Sequence, residues 1–124
     1  MNIDGQTFLE QLASSPAKGF TPRFSRTSMR LGLGACLSGS ELSLLHDAAF
    51  YATLCNIAFN GLGGCGGQIK PHREANRISL ESRFMAAREQ FLSCDGWHAL
   101  SATQKESIHK IFLNIIVAEN NLHR

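Results

Sequence analysis

The chain has 124 residues, about one domain's worth, and its 44% hydrophobic and 18% charged residues supply a core and exclude compositional disorder. A formal charge of +2 is too small to name a nucleic-acid or membrane partner, so electrostatic recognition has to come from local clustering. Met1 to Leu12 carries Asp4 and Glu10 with no basic n-region, and the most apolar run, Ala48 to Phe59, is shorter than the roughly 20 residues that cross a bilayer. The expectation is therefore a cytoplasmic protein without membrane contact, its four cysteines held as thiols.

Residues 1–13 predict a short capped helix. Asp4 can accept from the free N–H groups of the first turn, and Ile3 and Phe8 stand at the spacing of a hydrophobic staple. Phe8, Leu9 and Leu12 form a narrow apolar stripe, and a helix this short needs something to dock on. Residues 14–40 change character. Pro16, Pro22, Gly19, Gly32, Gly34 and Gly39 punctuate a serine-rich stretch with no acid between Glu10 and Glu41. Lys18, Arg23, Arg26 and Arg30 are interleaved with Phe20 and Phe24, and neither helical nor strand periodicity persists, so this segment reads as an irregular basic arm.

Residues 41–124 read as a helical core. The first major helix opens with Ser40 as N-cap and Glu41 suiting the helix dipole. Leu44, Leu45, Ala48, Ala52, Cys55 and Phe59 follow helical spacing, while Phe50, Tyr51, Leu54, Ile57 and Ala58 make the helix apolar nearly all round, until Asn60 and Gly61 stop it. A loop with five glycines and Cys65 follows, from Gly61 to Gly67. Pro71 opens the next helix, which runs towards Ser93 with Leu80, Phe84, Ala87 and Phe91 as its stripe and a restart near Ser79. Asp95 and Gly96 break it before a short connection through Trp97. The last helix starts at Ser101 with Gln104 or Thr103 with Glu106, both with capping-box spacing. Ile108, Ile111, Phe112, Ile115 and Leu122 line one face, and Leu113, Ile116 and Val117 widen it. The fold expectation is mainly α: a compact bundle of three main helices, with the short N-terminal helix and the arm packed against it.

Catalytic signatures do not assemble. Gly61, Gly63 and Gly66 spell G-x-G-x-x-G, but a helix rather than a strand precedes them, which removes the dinucleotide-binding context. Cys65 with His72, and Cys94 with His98, offer two sulfurs and two imidazoles for a tetrahedral metal, in spacings that match no common zinc finger. A Cys65 nucleophile activated by His72 lacks a nameable third group, and H-E-x-x-H and G-x-S-x-G are absent. No enzyme activity, metal or cofactor is expected.

The arm is the most distinctive feature. Lys18, Phe20, Arg23, Phe24, Arg26 and Arg30 could cover an acidic protein surface, with the phenylalanines as anchors. The same residues could track phosphates and stack bases, which makes a nucleic-acid-binding protein the alternative. A small zinc or thiol protein centred on Cys65 is a further one. The leading expectation is a non-catalytic regulatory or inhibitory protein that docks on a protein partner, and self-association through the first or last major helix would fit the same apolar faces.

Overall fold

The computed structural model describes residues 3–14, 19–63 and 71–113, with side chains outside 56–63 and 71–77. Among the described residues there are six α-helices and no strand: α1 Gly5–Ala13, α2 Phe20–Arg30, α3 Gly39–Gly63, α4 Pro71–Leu92, α5 Asp95–Ala99 and α6 Ala102–Leu113, with a 3-10 turn at Leu33–Ala35. The fold is mainly α, and no described helix is long and apolar enough to cross a membrane.

The start of α1 follows the expected chemistry. Asp4 Oδ1 accepts from Thr7 N at 2.8 Å and Oδ2 accepts from Thr7 Oγ1 at 3.0 Å. These bonds hold the Asp4 carboxyl below its ordinary range, because they favour the charged form. The segment 14–40 departs from the expectation of an irregular arm, since Phe20–Arg30 is an α-helix. Pro22 does not interrupt it: it lies in the first turn, where the backbone N–H has no partner within the helix. The helix ends where Gly32 takes the left-handed conformation at φ 72°, and Gly32 N donates to Met29 O at 3.0 Å.

Three other boundaries move. The cap of α3 is Ser38 rather than Ser40: Ser38 Oγ accepts from Glu41 N at 3.2 Å and Glu41 Oε1 accepts from Ser38 N at 3.0 Å, a reciprocal capping box. The helix continues past Asn60 and Gly61 to Gly63; the rest of the glycine loop, with Cys65, lies outside the described residues. Asp95 and Gly96 do not break the chain into a loop but open the short helix α5, and α4 runs from Pro71 to Leu92 without a restart. At α6 the box of Ser101 and Gln104 forms, with Gln104 N donating to Ser101 Oγ and Ser101 N to Gln104 Oε1, both at 3.2 Å.

The inner faces meet in one core of Leu9, Phe24, Leu33, Leu37, Leu42, Leu45, Phe91, Ile108, Ile111 and Phe112. α3 and α6 both contribute to this core while Phe50 and Leu113 stay exposed, and α4 contributes Phe91, whose ring meets those of Trp97 and Phe112 edge to face. One polar junction locks the start of α3 to α5. Glu41 Oε2 accepts from Gly96 N at 2.6 Å while its other oxygen serves the cap. A Cβ at position 96 would lie 2.5 Å from that carboxylate, so only glycine lets the backbone approach this closely. Burial pushes the Glu41 carboxyl up, but the N–H groups of Ser38 and Gly96 and the Cys94 thiol outweigh it and leave the group below its ordinary range.

Candidate basic groove on the second helix

Helix formation sorts the residues of the expected arm onto two faces. Phe24, Ser25, Thr27 and Ser28 point inward and are fully buried. Phe20 is half-buried, and its ring packs on Phe24, His46 and Phe50 at centroid distances of 6.0, 5.2 and 5.6 Å. His46 links the two helices further, with Nε2 in hydrogen-bond contact with Thr21 Oγ1 at 3.3 Å and its ring edge-on to Phe24 at 5.1 Å. Both phenylalanines therefore serve the α2–α3 contact, and Phe24 is enclosed in the core rather than presented as a surface anchor.

The outward face carries the charge. Arg26 and Arg30 are exposed, one helical turn apart, and Arg23 is half-buried beside them. Arg26, Arg30, Pro22, Met29 and the end of α1 at Ala13 line an open groove of about 430 Å³, within the size range of ligand pockets. Its described lining holds two cations and no acid, with an apolar remainder of a thioether, a proline ring and a methyl group. Lys18 lies outside the described residues. The stripe Pro22, Arg26, Met29 and Arg30 has the offsets 4, 7 and 8 of a helix face, a signal present in the sequence that the search for an apolar period passes over.

The inward face of α2 is unusually polar. Ser25 Oγ donates to Leu9 O at 2.6 Å and ties the helix to α1. Among the described residues, Thr27 Oγ1 and Ser28 Oγ are buried without a hydrogen-bond partner. Such groups give up hydration without replacement and weaken the packing that holds them.

The candidate metal ligands Cys65, His72, Cys94 and His98 are not brought together among the described residues. Cys65 and the His72 side chain lie outside them. Cys94 is half-buried with its thiol turned to Glu41, whereas His98 is exposed. Burial, with the Glu41 carboxylate beside it, pushes the Cys94 thiol up from its ordinary value, the opposite of what a ligand or nucleophile needs. No group of three or more His, Cys, Asp or Glu side chains able to hold a metal occurs among the described residues. Comparison with known protein families, with characterised proteins and with solved structures finds no match for this chain, so its function has to be read from its own residues.

Proposed function

We propose that the chain is a non-catalytic regulatory protein that works by docking on a protein partner through the outward face of α2. One observation carries this reading: α2 turns its aromatic rings inward and its exposed residues Arg26 and Arg30 outward, beside a groove with an apolar lining. Single-stranded nucleic acid is held by cations together with exposed rings on which bases stack. With Phe24 enclosed and Phe20 packed on His46, α2 offers the cations without that platform. Cations around an apolar depression suit an acidic protein surface better, because the depression can take a side chain while the charges set orientation.

The test is capture of partners by the full chain from its own host's lysate after nuclease treatment. The same polypeptide should be retained by the wild type and lost by the Arg26→Ala/Arg30→Ala variant. Retention that the double substitution does not change would reject α2 as the docking face. Capture that disappears with nuclease would favour the nucleic-acid alternative.

A further inference from the structure

We infer that α2 is a hinged lid: residues 20–30 swing away from α1 and α3 as one unit, about Gly19 and Gly32, while the rest of the core stays folded. Two enclosed hydroxyls supply the drive. Thr27 and Ser28 are fully buried, and every buried side-chain oxygen that lacks a partner among the described residues belongs to one of them. Water can hydrate these hydroxyls only when the inward face of α2 opens, so the closed state carries a cost that the open state does not. The ends of the helix supply the pivots. Gly19 at φ 104° and Gly32 at φ 72° bracket it, and open space surrounds the position that a Cβ would take at each. Glycine crosses between φ values of either sign at little cost, so both positions can absorb the change in backbone angle that a swing of the whole helix needs. Gly19 supplies no side-chain cap and the first turn carries no acid, so a side-chain cap does not pin the start of the helix. Phe24, with Phe20 and Met29 packed beside it, the bond from Ser25 to Leu9 O and the Thr21–His46 contact hold the closed state and make it the resting one. Lifting α2 uncovers the Leu9 carbonyl and the His46 ring, a seat between α1 and α3 that the closed state hides. The motion belongs to the free chain and does not depend on a partner docking on the outward face.

The test is native-state hydrogen exchange of the full chain, followed by NMR at increasing urea concentrations below the unfolding transition. The amides of residues 24–30 should share one opening, about 100-fold or more frequent than that of residues 42–49 in α3 and 108–112 in α6. Its urea slope should be above zero and below that of global unfolding, because only the surface under α2 is exposed. Thr27→Val removes a hydroxyl that opening hydrates, so it should slow the exchange of residues 24–30 about five-fold. Ser28→Ala should act in the same direction and serves where Thr27→Val does not fold. A slope equal to the global one would show that α2 leaves only when the whole chain unfolds, and a slope near zero that it frays residue by residue. Either result overturns the inference. Unchanged exchange of residues 24–30 in the folded variants would also overturn it, because the hydroxyls would then stay enclosed during the fluctuation.

Discussion

The junction at the start of α3 and the helix α2 both bury polar groups, and they treat them in opposite ways. At the junction each carboxylate oxygen of Glu41 has a backbone N–H partner, Ser38 N on one side and Gly96 N on the other, and glycine at position 96 clears the space for this. At α2, Ser25 is satisfied by Leu9 O, but the Thr27 and Ser28 hydroxyls are enclosed without partners among the described residues. Burial of a polar group helps a fold only when the group keeps its hydrogen bonds, so the junction is compensated at both oxygens, while α2 relies on Phe24, Phe20 and Met29 and on the Ser25 bond to offset its two enclosed hydroxyls. The lesson concerns where recognition can sit. α2 keeps Arg26 and Arg30 exposed on its outer face, whereas the junction is committed to holding its neighbours in place.

The largest expected effect sharpens the contrast from the side of the core. Phe91 is fully buried between Trp97 and Phe112, so Phe91→Ala should cost about 3–5 kcal/mol, read as a lower urea midpoint at unchanged slope. A midpoint within error of wild type would show that the ring is not enclosed.

A smaller effect belongs to the junction. Glu41→Gln keeps one acceptor but sets an amide N–H₂ against a backbone donor, and should cost about 1–3 kcal/mol at neutral pH. The pH dependence has a definite sign. The folded state holds the Glu41 carboxyl below its ordinary value, so its contribution is complete above the unfolded value of about 4.3. It is lost as pH falls through the lower folded value. Wild-type stability should therefore drop below about pH 4 more steeply than that of Glu41→Gln. Parallel profiles would remove Glu41 from the acid response and leave it to caps such as Asp4.

The smallest effect has the opposite sign and comes from α2. Thr27→Val keeps the shape of the side chain and removes a buried hydroxyl that lacks a partner, so stability should rise by up to about 1 kcal/mol. Ser25→Ala, next door in sequence, should instead fall by about 1 kcal/mol, because it breaks the bond to Leu9 O. If Thr27→Val destabilises, its hydroxyl is bonded and the contrast between the two regions is lost.

Much of the frame is legible in the sequence because it rests on local chemistry. Asp4 and Thr7, Ser101 and Gln104, and Pro71 as the first residue of α4 each carry their own signal. The cap of α3 slips by two residues because Ser38 and Ser40 both precede Glu41, and only Ser38 has the spacing that makes the box reciprocal. α2 is hidden for a different reason. Its inward stripe, Phe20, Phe24, Thr27 and Leu31, has helical period, but a serine or threonine scores as a surface residue, so the period vanishes when only apolar positions are counted. Once α2 is a helix, the expected site divides: Arg26 and Arg30 are exposed, Arg23 is half-buried with its Nε enclosed, and Phe24 joins the core. The Glu41–Gly96 junction has no local signal, since 55 residues separate its partners.

Hydrogen exchange of the captured complex, compared with the free chain, tests the central claim most directly. Docking on the outward face of α2 predicts slower exchange in residues 22–30 on complex formation, while the first turn of α3, already locked by Ser38 and Glu41, stays unchanged. Protection that appears on α4 or α6 with none on α2 would contradict the account and move the docking surface elsewhere.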